Sequence, residues 1–167
     1  MNVVVEIPTG TTAKWEVRKE DGFLAWEQKS GKPRVVQYLG YPGNYGMVPR
    51  TLSGDGDPLD VIVLGPPVQR GAVVPAKLLG VLKFVDRGEE DDKLLAVLAD
   101  DPLSRAKDIK DLEKGEFVNV ATIVSLWFES YKGAGVMMSK GMGDSVEARA
   151  RLEAAIAAYT QDRKHRP

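Results

Sequence analysis

The sequence predicts a mainly β chain with flanking helices (α+β). Strand-like runs fill its first two thirds, 17 Gly and 10 Pro punctuate its 167 residues, and helical spacing begins only near the end. Val3–Ile7 is the first strand, stopped by Pro8. After the turn Thr9-Gly10-Thr11-Thr12, the run Lys14–Arg18 alternates, with Lys14, Glu16 and Arg18 on one face and Trp15 and Val17 on the other. Asp21-Gly22 marks a hairpin returning through Phe23–Trp26. Tyr41–Pro49 holds two Pro and two Gly and reads as a structured loop. Val61–Leu64, Leu78–Val85 and Leu94–Leu98 are apolar enough to be buried strands, and the acidic loop Asp86–Asp92 joins the last two.

Asp101-Pro102 opens a predicted helix running through Leu112, with Pro at its first position. Phe117–Trp127 is rich in β-branched residues, yet Phe117, Val120, Val124, Trp127 and Tyr131 recur at helical spacing, which favours a helix. Asp144 or Ser145 caps a final helix with Leu152, Ile156 and Tyr159 as its stripe, entered through a Lys140–Gly143 loop. No repeat, linker or low-complexity tract interrupts residues 1–167, so one domain is expected.

Composition removes several kinds of chemistry. Lys and Arg total 23 against 24 Asp and Glu, a net charge of -1, so a broad basic grip on nucleic acid is not the default. There is no Cys, and the lone His165 is read as a tail residue. Thiolate sites, His-rich zinc sites and a Ser-His-Asp triad are excluded. The opening Met1–Glu6 is too short for a signal-peptide core and no apolar run reaches membrane length, so no membrane partner and a cytoplasmic location are expected.

Gly54-Asp55-Gly56-Asp57-Pro58-Leu59-Asp60-Val61 is the most informative stretch. Two like charges about 4 Å apart repel by roughly 4 kcal/mol at an effective dielectric near 20. Three carboxylates in six residues must therefore splay into water, take up protons or share a cation. The ordinary reading is a solvated turn. An EF-hand fails, because Leu59 sits at a ligand position and Pro66 where the bidentate Glu belongs. The dinucleotide fingerprint lacks its third Gly, and no Walker-type Lys follows a Gly-rich loop. An all-oxygen site for Mg²⁺ or Mn²⁺ remains. Asp86 and Asp91 form a second acidic pair that could share such ions. Lys14, Arg34, Lys93 and Lys132, with Tyr45 and Tyr131, are the candidate partners of a phosphate polyanion.

At these residues the chain resembles the soluble family I inorganic pyrophosphatases of the short bacterial type. The likeness rests on Asp55-Gly56-Asp57-Pro58-Leu59-Asp60-Val61, joined in order by Glu6-Ile7-Pro8, Lys14-x-Glu16, Tyr41-Pro42-x-Asn44-Tyr45-Gly46, Asp86 with Asp91 and Lys93, and Tyr131-Lys132. The resemblance implies an OB-like closed β-barrel with flanking helices, and commonly a homohexamer. It implies Asp55, Asp60, Asp86 and Asp91 as metal ligands, with Glu6 and Glu16 lining the cavity. Asp57 would be the general base, and Lys14, Arg34, Tyr45, Lys93, Tyr131 and Lys132 would bind the phosphoryl groups. Arg34 stands one residue closer to Tyr41-Pro42 than the family arginine, and the Leu126–Ser130 stretch lacks the histidines some bacterial members place between subunits.

The expected activity is Mg²⁺-dependent hydrolysis of pyrophosphate to two orthophosphates by direct attack of a metal-activated water. Two alternatives stand beside it. One is an OB-like module binding a polyanion, which would need a basic, aromatic groove where this chain is acidic. The other is a phosphohydrolase acting on polyphosphate or nucleotides.

Overall fold

In the computed structural model residues 1–165 are described, the His165 side chain excepted, so the reading of that side chain lies outside the described residues. The elements run β1 (Asn2–Ile7), β2 (Trp15–Val17), β3 (Leu24–Trp26), β4 (Gln28–Lys29), β5 (Lys32–Pro33), β6 (Asn44–Met47), β7 (Asp60–Leu64), β8 (Val73–Asp86), β9 (Glu89–Glu90) and β10 (Lys93–Leu98). Three short 3-10 turns follow, then α1 (Val120–Tyr131), β11 (Met137–Gly143) and α2 (Ser145–His165).

The main sheet is ordered β1-β6-β7-β10-β8-β11, and β1 also pairs with β8. Strands β1, β6, β7, β10 and β8 therefore close a ring, which leaves few bare strand edges. Closure depends on the 14-residue β8, long enough to serve β10, β11, β9 and β1 in turn. β7 and β10 are parallel, with Leu94 opposite Val61 and Val97 opposite Leu64, and the other pairings are antiparallel.

Period-2 alternation splits the strand side chains into two buried sets. Ile62, Leu64, Leu95 and Val97 join Phe84, Trp127 and Phe128 in a cluster that includes the inner face of α1. Val61, Val63, Leu94 and Ala96 join Val3, Val81 and Ala148, with Leu152 of α2 packed against them.

Several elements differ from expectation. Tyr41–Pro49 is not all loop, because Asn44–Met47 is a buried strand between β1 and β7. A Cβ on Gly46 would lie 1.9 Å from the Val4 carbonyl oxygen, so the glycine permits the close pairing of β1 and β6 and is no breaker here. The helix from Asp101 starts as predicted, with Leu103 N–H donating to Asp101 Oδ1 at 2.9 Å, but it breaks at extended Ala106. Asp108 and Asp111 then form a capping box that begins a separate 3-10 turn. Lys140–Gly143 is not a helix-entry loop but the end of β11, whose register shifts between Ser139 and Met142, with Gly141 at φ 92°. In α2, Asp144 Oδ1 accepts from the Val146 and Glu147 N–H groups as expected of a cap. Its buried residues are Ala148 and Ala155, whereas Ile156 is exposed.

Candidate active site

A cleft of about 1650 Å³ opens at one end of the ring, and all thirteen predicted site residues line it. Four parts of the chain build it.

The acid turn is held at its base. Thr51 Oγ1 donates to the Val48 carbonyl at 2.6 Å and accepts from Leu59 N–H at 2.9 Å, while Val48 N–H reaches the Leu59 carbonyl at 2.9 Å. Within the turn Asp57 N–H donates to Asp55 Oδ1 at 2.9 Å, and Gly56 takes φ 83°, where a side chain would be strained. Asp57 faces Lys19 Nζ at 2.5 Å.

Parallel pairing supplies the second part. Since Leu94 lies opposite Val61, the preceding residues Lys93 and Asp60 come side by side at the strand entrances. The buried Lys93 Nζ bonds Asp60 Oδ2 and also Asp91 Oδ1 at 2.5 Å. Burial alone would lower its pKa, but the two carboxylates win and hold the ammonium above its usual range. Tyr45 on β6 sets its ring 5.9 Å from Lys93 Nζ, and burial drives its hydroxyl pKa well up, with Asp60 adding to the effect. Tyr45 stays protonated at neutral pH.

At the far end of β8, Asp86 meets Lys132, the first residue beyond α1 and next to Tyr131, with Nζ–Oδ2 at 2.6 Å. Asp86 Oδ1 is buried and accepts no hydrogen bond.

The fourth part is a knot of backbone bonds among Lys14, Glu27 and Arg34. Lys14 N–H donates to the Arg34 carbonyl at 3.0 Å, Glu27 N–H to the Lys14 carbonyl at 2.9 Å, and Arg34 N–H to the Glu27 carbonyl at 2.7 Å. The side chains repeat the triangle, Glu27 holding Lys14 Nζ at 2.8 Å and the Arg34 guanidinium at 2.6 Å. Arg34 follows the β4–β5 hairpin directly, and its side chain lines the cleft.

Glu6 lies behind these groups, buried, with Oε1 accepting from Val17 N–H at 2.7 Å. Burial pushes its carboxyl up to about 7, opposed by that hydrogen bond and reinforced by Asp60. Glu16 is exposed on the cleft wall.

Sequence reasoning missed Glu27, Lys19, Thr51 and Arg151. Arg151 reaches the cleft from α2 and bonds Asp92 at 2.6 Å and Glu147 at 3.0 Å. None has a spacing signal, since each acts through a partner brought near only by folding.

Among the described residues, no three acidic or histidine side chains gather closely enough to hold an ion as they stand, and Asp57, Asp60, Asp86 and Asp91 are each paired with a lysine. The donor set nonetheless fits a hard divalent cation. It is all carboxylate oxygen, it converges on one cleft, and the buried Asp86 Oδ1 lacks any other partner.

Comparison with known proteins agrees with the fold. A family model described as inorganic pyrophosphatase matches residues 3–160. An inorganic pyrophosphatase of Halalkalibacterium halodurans is 39% identical over 153 residues, covering 89% of this chain and 87% of that protein. A soluble inorganic pyrophosphatase of Oryza sativa subsp. indica is 39% identical over 133 residues, and the match takes in 78% of this chain but only 58% of the plant protein. Among solved structures, the inorganic pyrophosphatase of Helicobacter pylori superposes with a TM-score of 0.83 at 38% identity, covering 96% of this chain and 93% of its own. A Trypanosoma cruzi vacuolar soluble pyrophosphatase, solved in complex with PPi, gives 0.91 at 27% identity over 98% of this chain and 70% of that one. A closed ring of strands, an acid turn braced by Thr51 and a family match over nearly the whole length lead to one conclusion: this chain belongs to the soluble family I inorganic pyrophosphatases.

Proposed function

We propose that this chain, as one catalytic domain over residues 1–167, hydrolyses pyrophosphate to two orthophosphates with Mg²⁺ as cofactor and Mn²⁺ as its substitute. The observation that carries the reading is the pairing of carboxylates with cations inside one cleft, Lys93 with Asp60 and Asp91 and Lys132 with Asp86, beside Lys14 and Arg34, which Glu27 holds from behind the lining. Asp55, Asp60, Asp86 and Asp91 would hold the cations, with Glu6 and Glu16 on the wall. When bound, divalent cations lower the pKa of coordinated water and offset charge on the phosphates.

The chain's own groups do the rest. Lys93 and Lys132 turn from their carboxylates to the phosphate oxygens, where charge grows as the bridging bond breaks, while Lys14 and Arg34, held in place by Glu27, present their remaining donors to the same oxygens. Tyr45 and Tyr131 donate hydroxyl protons to the same oxygens. Asp57, at the tip of its turn and half exposed, accepts the proton of the attacking water. No covalent intermediate is needed. A cytoplasmic setting belongs to this reading, and no helix among the described residues is long and apolar enough to cross a membrane. So does a homo-oligomer, a hexamer by the resemblance, supported by the exposed Ile123 and Leu126 on the outer face of α1.

Orthophosphate release measured from pyrophosphate, tripolyphosphate and a nucleoside triphosphate tests the substrate. Fastest release from pyrophosphate supports the reading, and preference for either longer substrate overturns it.

A further inference from the structure

We propose that a pocket between the turn after β6 and the last turns of α2 is a second binding site, specific for a phosphate oxyanion and separate from the catalytic carboxylates. The pocket has a volume of about 600 Å³ and is lined by Arg50, Tyr159, Thr160, Arg163 and Lys164. Three of these five side chains are cationic and none is acidic, on a chain whose net charge is -1.

The cations here differ from those of the cleft. Lys14, Arg34, Lys93 and Lys132 are each tied to a carboxylate. Among the described residues, Arg50, Arg163 and Lys164 make no ion pair, so an arriving anion displaces no internal partner. Thr160 spends its hydroxyl proton on the Ile156 carbonyl at 2.8 Å, which leaves Tyr159 as the neutral donor. Three positive charges around one pocket favour a ligand with at least two negative charges on a small oxygen cluster.

The backbone is prepared for this role. Arg50 adopts φ 61°, a conformation that costs a non-glycine residue energy and persists only where neighbours impose it. Thr51 Oγ1 donating to the Val48 carbonyl and Leu52 N–H donating to the Ala155 carbonyl at 3.0 Å impose it from both sides. The bond to Ala155 ties the segment that follows Arg50 to α2. Arg50 and Tyr159 also line the catalytic cleft, so a phosphate held here sits at the rim by which substrate enters and product leaves. Its source is either free orthophosphate or a phosphate carried on a nucleotide.

Equilibrium dialysis with radiolabelled orthophosphate in EDTA, at low ionic strength, tests the site on the full chain. The double variant Arg163→Ala/Lys164→Ala changes exposed residues near the end of α2, and Arg50→Ala reaches the same pocket from another element. Circular dichroism checks that each folds. Wild type is expected to show a saturable class of bound phosphate that both variants lose or bind at least about tenfold more weakly, while the double variant keeps pyrophosphate hydrolysis within about twofold. Tighter binding of orthophosphate than of a nucleoside triphosphate identifies the free anion as the ligand, and the reverse order identifies the nucleotide-borne one. Superimposable isotherms for wild type and both folded variants overturn the site, whether or not the chain hydrolyses pyrophosphate.

Discussion

Lys132 Nζ donates to Asp86 Oδ2 at 2.6 Å across 46 residues of chain. The bond joins the end of the longest strand to the end of α1, and so places a predicted phosphate-binding cation on a predicted metal ligand. The same pairing of a cation with expected metal ligands recurs at Lys93, which meets Asp60 and Asp91. A cation bringing its pyrophosphate would let both members of each pair change partners without stranding a charge, which is the costly alternative in a half-buried cleft.

Asp57→Asn removes a proton acceptor while keeping the shape of the side chain. Steady-state kinetics should show kcat lowered by about 10³-fold, in the range for loss of a general base. The melting temperature should barely move, because the Lys19–Asp57 pair is half exposed and such pairs contribute under about 1 kcal/mol.

Glu27 does not line the cleft but holds two groups that do. Glu27→Gln weakens charged hydrogen bonds to Lys14 and Arg34, each contributing about 1.5–3 kcal/mol. KM for pyrophosphate is expected to rise about tenfold with a smaller change in kcat. An unchanged KM would remove Glu27 from the positioning of those cations.

Glu6 gives a pH signature in protein free of divalent ions. Its carboxyl is raised from 4.5 to about 7 by burial, so the folded chain keeps a proton that the unfolded chain releases. Stability therefore falls as pH rises from about 4.5 to 7, by up to about 3 kcal/mol, and stays low above that. Glu6→Gln mimics the protonated form. Denaturant unfolding should show its advantage over wild type absent near pH 4.5, growing through the window and level beyond pH 7.

Gly46→Ala should cost about 3 kcal/mol or more, since the new Cβ would meet the Val4 carbonyl oxygen of β1 and no flexible side chain can give way. Thermal melting checks it. Gly56→Ala, at φ 83° in open space, should cost about 1 kcal/mol.

The sequence makes the ring largely legible where strands are apolar on both faces: β7, the second half of β8 and β10 read directly from Val61–Leu64, Leu78–Val85 and Leu94–Leu98. β6 is not legible, because its strand character comes from being enclosed by β1 and β7, and Gly46 reads locally as a breaker. The parallel entry of β7 and β10, which sets Lys93 beside Asp60, is a long-range pairing with no local signal. Charge crowding singles out the acid turn but leaves a solvated turn as its ordinary reading. The lysines and tyrosines stand out in the sequence only as candidate partners of a phosphate, and the braces Thr51 and Glu27 emerge only in three dimensions.

Orthophosphate released from pyrophosphate, followed while Mg²⁺ is restored to EDTA-treated protein, bears most directly on whether these distant carboxylates work together on a cation. Release should climb from background to a plateau at two orthophosphates per pyrophosphate consumed, and Asp86→Asn should need more Mg²⁺ to reach half its own maximum. Hydrolysis undiminished in EDTA, or none at saturating Mg²⁺, would contradict it.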